Sequence, residues 1–152
     1  MTGIIHCDYR SKGLAHMLSN LCNYPFTLDG IRCESIEGFL QSLKFMDEEQ
    51  AAVLRRMYGG KCFIAGQKGN DWKITQILYW NGQGYHRSSN AYQMLLELAY
   101  DACAAQNPHF RQALMQSAPF ELRHDFGKVD MTDSVLTRIE YIYNLYRLRA
   151  KL

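Results

Sequence analysis

Glu37, Gln41 and Lys44 place a carboxylate, an amide and an amine at helical spacing. At about 100° per residue, Gln41 and Lys44 lie within about 40° and 20° of Glu37 around a helix axis, so all three project from one side. An acid and an amine held together on a rigid element can stabilise charge, move a proton or attack an electrophilic carbon. As a cation, Lys44 would hold an anion or protonate a leaving group. With a depressed pKa it would act as a nucleophile and form an imine. Burial lowers a lysine pKa and a neighbouring carboxylate raises it; the sequence leaves open which effect wins. On spacing alone, Glu37 and Lys44 are also compatible with an ordinary solvated helix flank.

The element that must carry these groups is legible. Ile36, Phe39, Leu40, Leu43 and Met46 recur at intervals of three and four residues and make one apolar helical face. Ser35 suits its N-cap. The polar stripe runs along the flank of this face, where a half-buried site can be built. Gly38 sits within the helix at a cost of about 1 kcal/mol against Ala, which points to a close approach by a ligand or another backbone.

The 152 residues suit one domain, and an apolar fraction of 47% with 21% charged residues is that of a folded globular chain. A net charge of +2 with no long basic run argues against a tight grip on duplex DNA. The five cysteines are odd in number and widely spaced, with no CxxC and no histidine pair at ligand spacing, so no metal site is expected. Free thiols fit a reducing cytosol. No apolar run approaches the ~20 residues of a membrane span and the N-terminus lacks a signal pattern, so a cytoplasmic protein without a membrane partner is expected.

In chain order, Ile4 to Tyr9 reads as a strand, and residues 13–21 as a loop leading into a strand-like turn. Residues 23–33 read as a hairpin turning at Asp29-Gly30. After the Ser35 helix, Asp47 begins a second helix that runs through Met57 and Tyr58 to Gly59-Gly60. A short helix covers about 61–66. Trp72 to Trp80 is compatible with strand or helix. Asn81 to Gly84 is a turn, Ser89-Asn90 starts a strong helix, and Pro108 opens another. Residues 119–124 read as a strand. Asp133-Ser134 caps a last helix, with Leu136, Ile139, Tyr143, Tyr146 and Leu148 as its apolar contacts. The fold class expected is α+β: a mostly helical single domain over 1–152, with helices around a small sheet of short strands.

Four segments in this order resemble the NADAR family of YbiA-like N-glycosidases. They are Leu18-Ser19-Asn20-Leu21 with Tyr24 to Gly30, Ser35 to Phe45, Tyr79 to Gly82 with Arg87-Ser88 and Tyr92, and Asn107 to Leu114. The resemblance covers the chain from about Leu18 to Leu152. Two departures stand out. Gly38 occupies the position after the helix glutamate where the family commonly has His. An Asp followed by Trp-Gly near the C-terminus is replaced by Leu122 to Asp130, which leaves Asp125 as the candidate C-terminal acid, in competition with Asp130 and Asp133.

The resemblance implies hydrolysis of a bond between ribose C1 and a nitrogen, with no cofactor. The implied partner is ADP-ribose or an ADP-ribosylated nucleobase, with single-stranded or modified DNA as a further one; members of this type include ADP-ribosyl-guanine hydrolases that act as antitoxins. Ribosyl phosphates of the early riboflavin pathway are an alternative substrate, and a non-catalytic ADP-ribose-binding module is an alternative function. Glu37 would stabilise positive charge at C1 or orient a hydroxyl, beside Lys44 in the roles already given. Ser19 and Asn20 would bond ribose or phosphate oxygens, being equally suited to turn capping, and Gln41 joins the substrate-binding set. Trp80 would stack on a base or serve as a core aromatic. Arg87 would clamp a pyrophosphate or lie exposed in a loop. His124 joins the substrate-binding set, with a strand-end position as its other reading.

Overall fold

The computed structural model describes residues 3–152. Helix α2 (Ile36–Ser42) is the centre of the fold. Ser35 caps it, its Oγ accepting from the Gly38 amide at 2.9 Å and donating to the Met57 carbonyl at 2.9 Å. Phe39, Leu40 and Leu43 are buried, with Phe39 edge-on to Trp80 at a centroid distance of 5.0 Å. Regular helix ends at Ser42, and bonds of Leu43, Lys44 and Phe45 to residues three back tighten the chain beyond it. Met46 therefore falls off the apolar face and is exposed, contrary to the periodic pattern.

Gly38 explains how close α2 lies to α3 (Glu48–Arg55). A Cβ there would stand 2.7 Å from the Leu54 carbonyl oxygen and 2.8 Å from that of Met57. The close approach is by another backbone, and it leaves no room for the histidine that the resemblance leads one to expect. Gly38→Ala is expected to destabilise the fold by about 2–4 kcal/mol through overpacking against rigid carbonyls, read as a lower denaturation midpoint. Helix α3 is capped by Asp47 as expected but stops at Arg55, before Tyr58; α4 (Gly60–Gly66) follows the left-handed Gly59.

The small sheet expected in the middle of the domain is instead three separate two-stranded pairs among the described residues. β2 (Phe26–Leu28) and β3 (Ile31–Cys33) form the hairpin, with Asp29 and Gly30 both at positive φ. Residues 72–80, compatible with either element, contain both: α5 (Trp72–Thr75) and β4 (Ile77–Trp80), separated by Gln76 in the left-handed region. β4 pairs with β5 (Gln83–His86) across an Asn81-Gly82 turn. β1 (Ile4–His6) lies parallel to β6 (Glu121–Arg123) and so joins the N-terminal segment to a strand more than a hundred residues later. Residues 13–21 include a one-turn helix, α1 (Leu14–Met17), in place of the loop and strand-like turn.

The remaining helices are α6 (Asn90–Gln106), capped by Ser89, α7 (Pro108–Ser117) and α8 (Arg138–Ala150). α8 starts later than the Asp133-Ser134 signal suggested. Thr137 and Glu140 form a reciprocal capping box, and Met131–Asp133 is a separate 3-10 turn. Its buried face is Tyr141, Asn144, Leu145 and Leu148, while Ile139 and Tyr143 are exposed. One apolar cluster runs from Leu18 through Phe39, Trp80, Tyr92, Leu96 and Leu114 to Leu145. All five cysteines are unpaired and buried within the fold, where desolvation raises each thiol pKa, that of Cys7 to about 11 and that of Cys33 to about 12; they are packing groups, not reactive ones. No helix among the described residues is long and apolar enough to cross a membrane.

Candidate functional site

A cleft of about 610 Å³ opens between the α2–α4 side and the chain from His124 to Arg138. Glu37, Gln41, Lys44, Asn20 and His124 all line it. A second hollow of about 650 Å³ lies behind, sharing Lys44 and Trp72 as its partition with the first, but it holds none of Glu37, Gln41, Asn20 and His124. The concentration of polar groups favours the first.

Each polar group is held by a specific contact. The Glu37 amide donates to the Asn20 carbonyl at 3.0 Å, which satisfies an open donor of the first turn of α2 and docks the residue 18–21 segment onto it. Gln41 Nε2 donates to Glu37 Oε1 at 2.7 Å. Its own Oε1 is buried without a partner, and a Cβ on Gly66 would lie 1.9 Å from it, so glycine is required there for the amide to fit. Lys44 Nζ lies 3.4 Å from the Gly66 carbonyl. Asn20 Oδ1 accepts from the Tyr100 hydroxyl at 2.7 Å, which leaves its amide nitrogen for a ligand. His124 follows β6, its Nδ1 is 2.8 Å from the Cys7 carbonyl, and its ring is edge-on to Tyr141. The carbonyl can only accept, so Nδ1 carries the proton and Nε2 is the free ring nitrogen.

The electrostatics follow from this placement. Burial raises the Glu37 pKa, opposed by the Gln41 hydrogen bond and by the charges of Lys44 and His124. Burial pushes the Lys44 ammonium down to about 8; Glu37 opposes this and the Lys73 and Lys128 cations reinforce it. Of the two effects weighed on sequence, desolvation wins at Lys44. A fraction of neutral amine is then present near pH 7, beside Glu37, in a shielded cleft.

Four of the sequence candidates stand elsewhere. Ser19 is buried and its Oγ accepts from the Leu21 amide at 3.1 Å, the turn-capping alternative. Trp80 is in the core at 2% exposure, with Nε1 donating to Asp29 Oδ2 at 2.8 Å. Arg87, at 0% exposure, forks onto both Glu140 oxygens at 3.0 and 2.6 Å and onto the Ser134 carbonyl at 2.7 Å. Asp125 lies in a neighbouring groove, 3.4 Å from His6 Nδ1 and 3.8 Å from Arg123 Nε. None of the four lines the cleft. Arg87→Met is expected to cost about 3–5 kcal/mol of stability, because Glu140 is left as a half-buried charge without its cation; the check is the denaturation midpoint.

The cleft also has walls that periodicity could not indicate. Trp72 lines it, buried, with Nε1 unpartnered. Phe63, Ile64 and Phe126 are exposed apolar groups at its edge, with Arg10 packed over the Phe126 ring at 5.7 Å. Lys73, Lys128 and Asp133 close one end. Asp130, the remaining competitor for the C-terminal acid, caps the 3-10 turn and is not part of the wall.

The model of a family described as bacteriophage protein GP30.3 matches residues 12–150. The chain belongs to that family, which is of the NADAR type. A relative from Enterobacteria phage T4, an uncharacterized 17.1 kDa protein of the Gp30–rIII intergenic region, is 37% identical over 139 residues, spanning 89% of this chain and 90% of that protein. The NMR structure of the Escherichia coli protein YbiA superposes with a TM-score of 0.64 over 98% of this chain and 84% of that one, at 20% identity. That likeness establishes the α+β fold of this GP30.3-family chain.

Proposed function

We propose that this protein is an N-glycosidase that hydrolyses a ribose C1–nitrogen bond on ADP-ribosylated substrates, ADP-ribosyl-guanine in DNA among them. The observation that carries the reading is that Glu37, which accepts from Gln41, lines one shielded cleft together with Lys44, Asn20 and His124. Cleavage builds positive charge at C1 and negative charge on the departing nitrogen. Glu37 stabilises the first. The Lys44 amine, with its pKa near 8, bonds to C1 as the C1–nitrogen bond breaks. The base leaves with that electron pair and takes up a proton. The Lys44 adduct then opens to an imine, which water hydrolyses to free sugar and restored amine. Asn20 and the rim aromatics Phe63 and Phe126 hold the sugar and the base, in place of Ser19 and Trp80.

The test is incubation with an oligonucleotide bearing ADP-ribosyl-guanine. Release of ADP-ribose, with borohydride trapping of sugar on Lys44, is the expected result. An active enzyme that gives no trapped adduct removes the covalent step. The position of Asp125 outside the cleft favours a second reading, a binding module without turnover; saturable ADP-ribose binding with no release would establish it instead.

A further inference from the structure

The first candidate for phosphate contact, Arg87, is sealed in the interior, so the cations that meet solvent in the cleft take on that question. Lys73 comes from the short helix α5 and Lys128 from the distant segment before the 3-10 turn. Asp133 joins them, Oδ1 lying 2.8 Å from Lys73 Nζ and Oδ2 3.0 Å from Lys128 Nζ. All three side chains line the cleft and are between 38% and 53% exposed, so a ligand can reach them. Gln76 Nε2 donates to the Thr132 carbonyl at 3.0 Å and holds the two segments in register.

We propose that Lys73 and Lys128 form the phosphate subsite of this cleft, with the Asp133 carboxylate holding the two ammonium groups together between ligands. The charges decide the ligand class. Two cations share one carboxylate, so one positive charge is uncompensated, and a phosphate supplies the balancing negative charge on tetrahedral oxygens suited to several ammonium donors. Both cations act on Lys44, which places the subsite within electrostatic reach of the reacting groups. An exposed triad of this kind contributes little to stability, so the fold itself does not account for it. The inference rests on the glycosidase reading for the rest of the substrate, but not for the phosphate contact.

The phosphate is either the diphosphate of ADP-ribose or the single phosphate of a ribosyl phosphate. Titration calorimetry with ADP-ribose, ribose 5-phosphate and inorganic pyrophosphate, on the wild type and on the Lys73→Gln/Lys128→Gln double variant, separates them. The variant is expected to bind its phosphate ligand about tenfold or more weakly, with a shallower salt dependence. The ligand that loses most identifies the source. Asp133→Asn, which removes the competing carboxylate, is expected to bind the same ligand a few-fold more tightly. Wild-type binding that the double variant retains within twofold overturns the inference, and no wild-type binding of any of the three also overturns it. Turnover of the ADP-ribosyl oligonucleotide, measured in parallel, keeps the two ideas apart. Turnover with unchanged binding by the variant sinks only the subsite, whereas lost binding without wild-type turnover sinks only the glycosidase.

Discussion

Lys44→Ala is expected to reduce ADP-ribose release by about a thousandfold or more, since it removes the group proposed to bond to C1. The pH profile carries the sign. Below its pKa the ammonium has no lone pair, so kcat/KM rises with pH and levels off above about 8. Stability also rises with pH, but over a higher window than activity. The folded-state pKa of Lys44 lies below its ordinary value of 10.5, so the fold resists charging it. The resulting penalty is absent above about pH 10.5 and complete below about 8. Lys44→Met should therefore be more stable than wild type near pH 7, by about 1–2 kcal/mol after screening at this half-open position. Kinetics and thermal melts on the two variants check both statements.

The second large effect is at Glu37. Glu37→Gln is expected to lower kcat by about 10²–10⁴-fold, because the amide keeps the contact with Gln41 but cannot stabilise positive charge at C1. The pH limb should also move. Glu37 is what holds the Lys44 pKa up, so removing its charge shifts the rising limb to lower pH. Burial raises the Glu37 pKa in the fold, so the cost of its charge is absent below the ordinary carboxylate range and complete above the raised value. Glu37→Gln should melt higher than wild type at neutral pH and equally at pH 4. A variant that kept full kcat would remove Glu37 from the reaction.

Activity lost and stability gained at both Glu37 and Lys44 would be the pattern of a site assembled against the preference of its surroundings. The scaffold compensates in α2 itself. Ser35 and the Asn20 carbonyl satisfy its first-turn donors, and Gly38 lets α3 close against it. These contacts are local or backbone-mediated, so the acid stays on a rigid helix and the amine in the tightened turn at its end while their charges are disfavoured.

The features legible in the order of residues alone are local. The Ser35 cap, the one-sided display of Glu37, Gln41 and Lys44, and the Asp29-Gly30 turn follow from side chains acting on backbone a few residues away. Four motifs in order also carried the family and the α+β class. Tertiary structure decided where each helix stops, which face it buries, and which polar groups are spent on the fold. Met46 and Ile139 continue an apolar rhythm, but the chain leaves the helix before one and packs a different face at the other. Gln76 breaks residues 72–80 into two elements with no glycine to announce it. Arg87 is consumed by Glu140, and Lys73 and Lys128 meet only through Asp133. Arg87 and Glu140, and Lys73 and Asp133, are distant along the chain, and neither propensity nor periodicity encodes these pairs, because the interaction energy exists only once packing has brought the charges together.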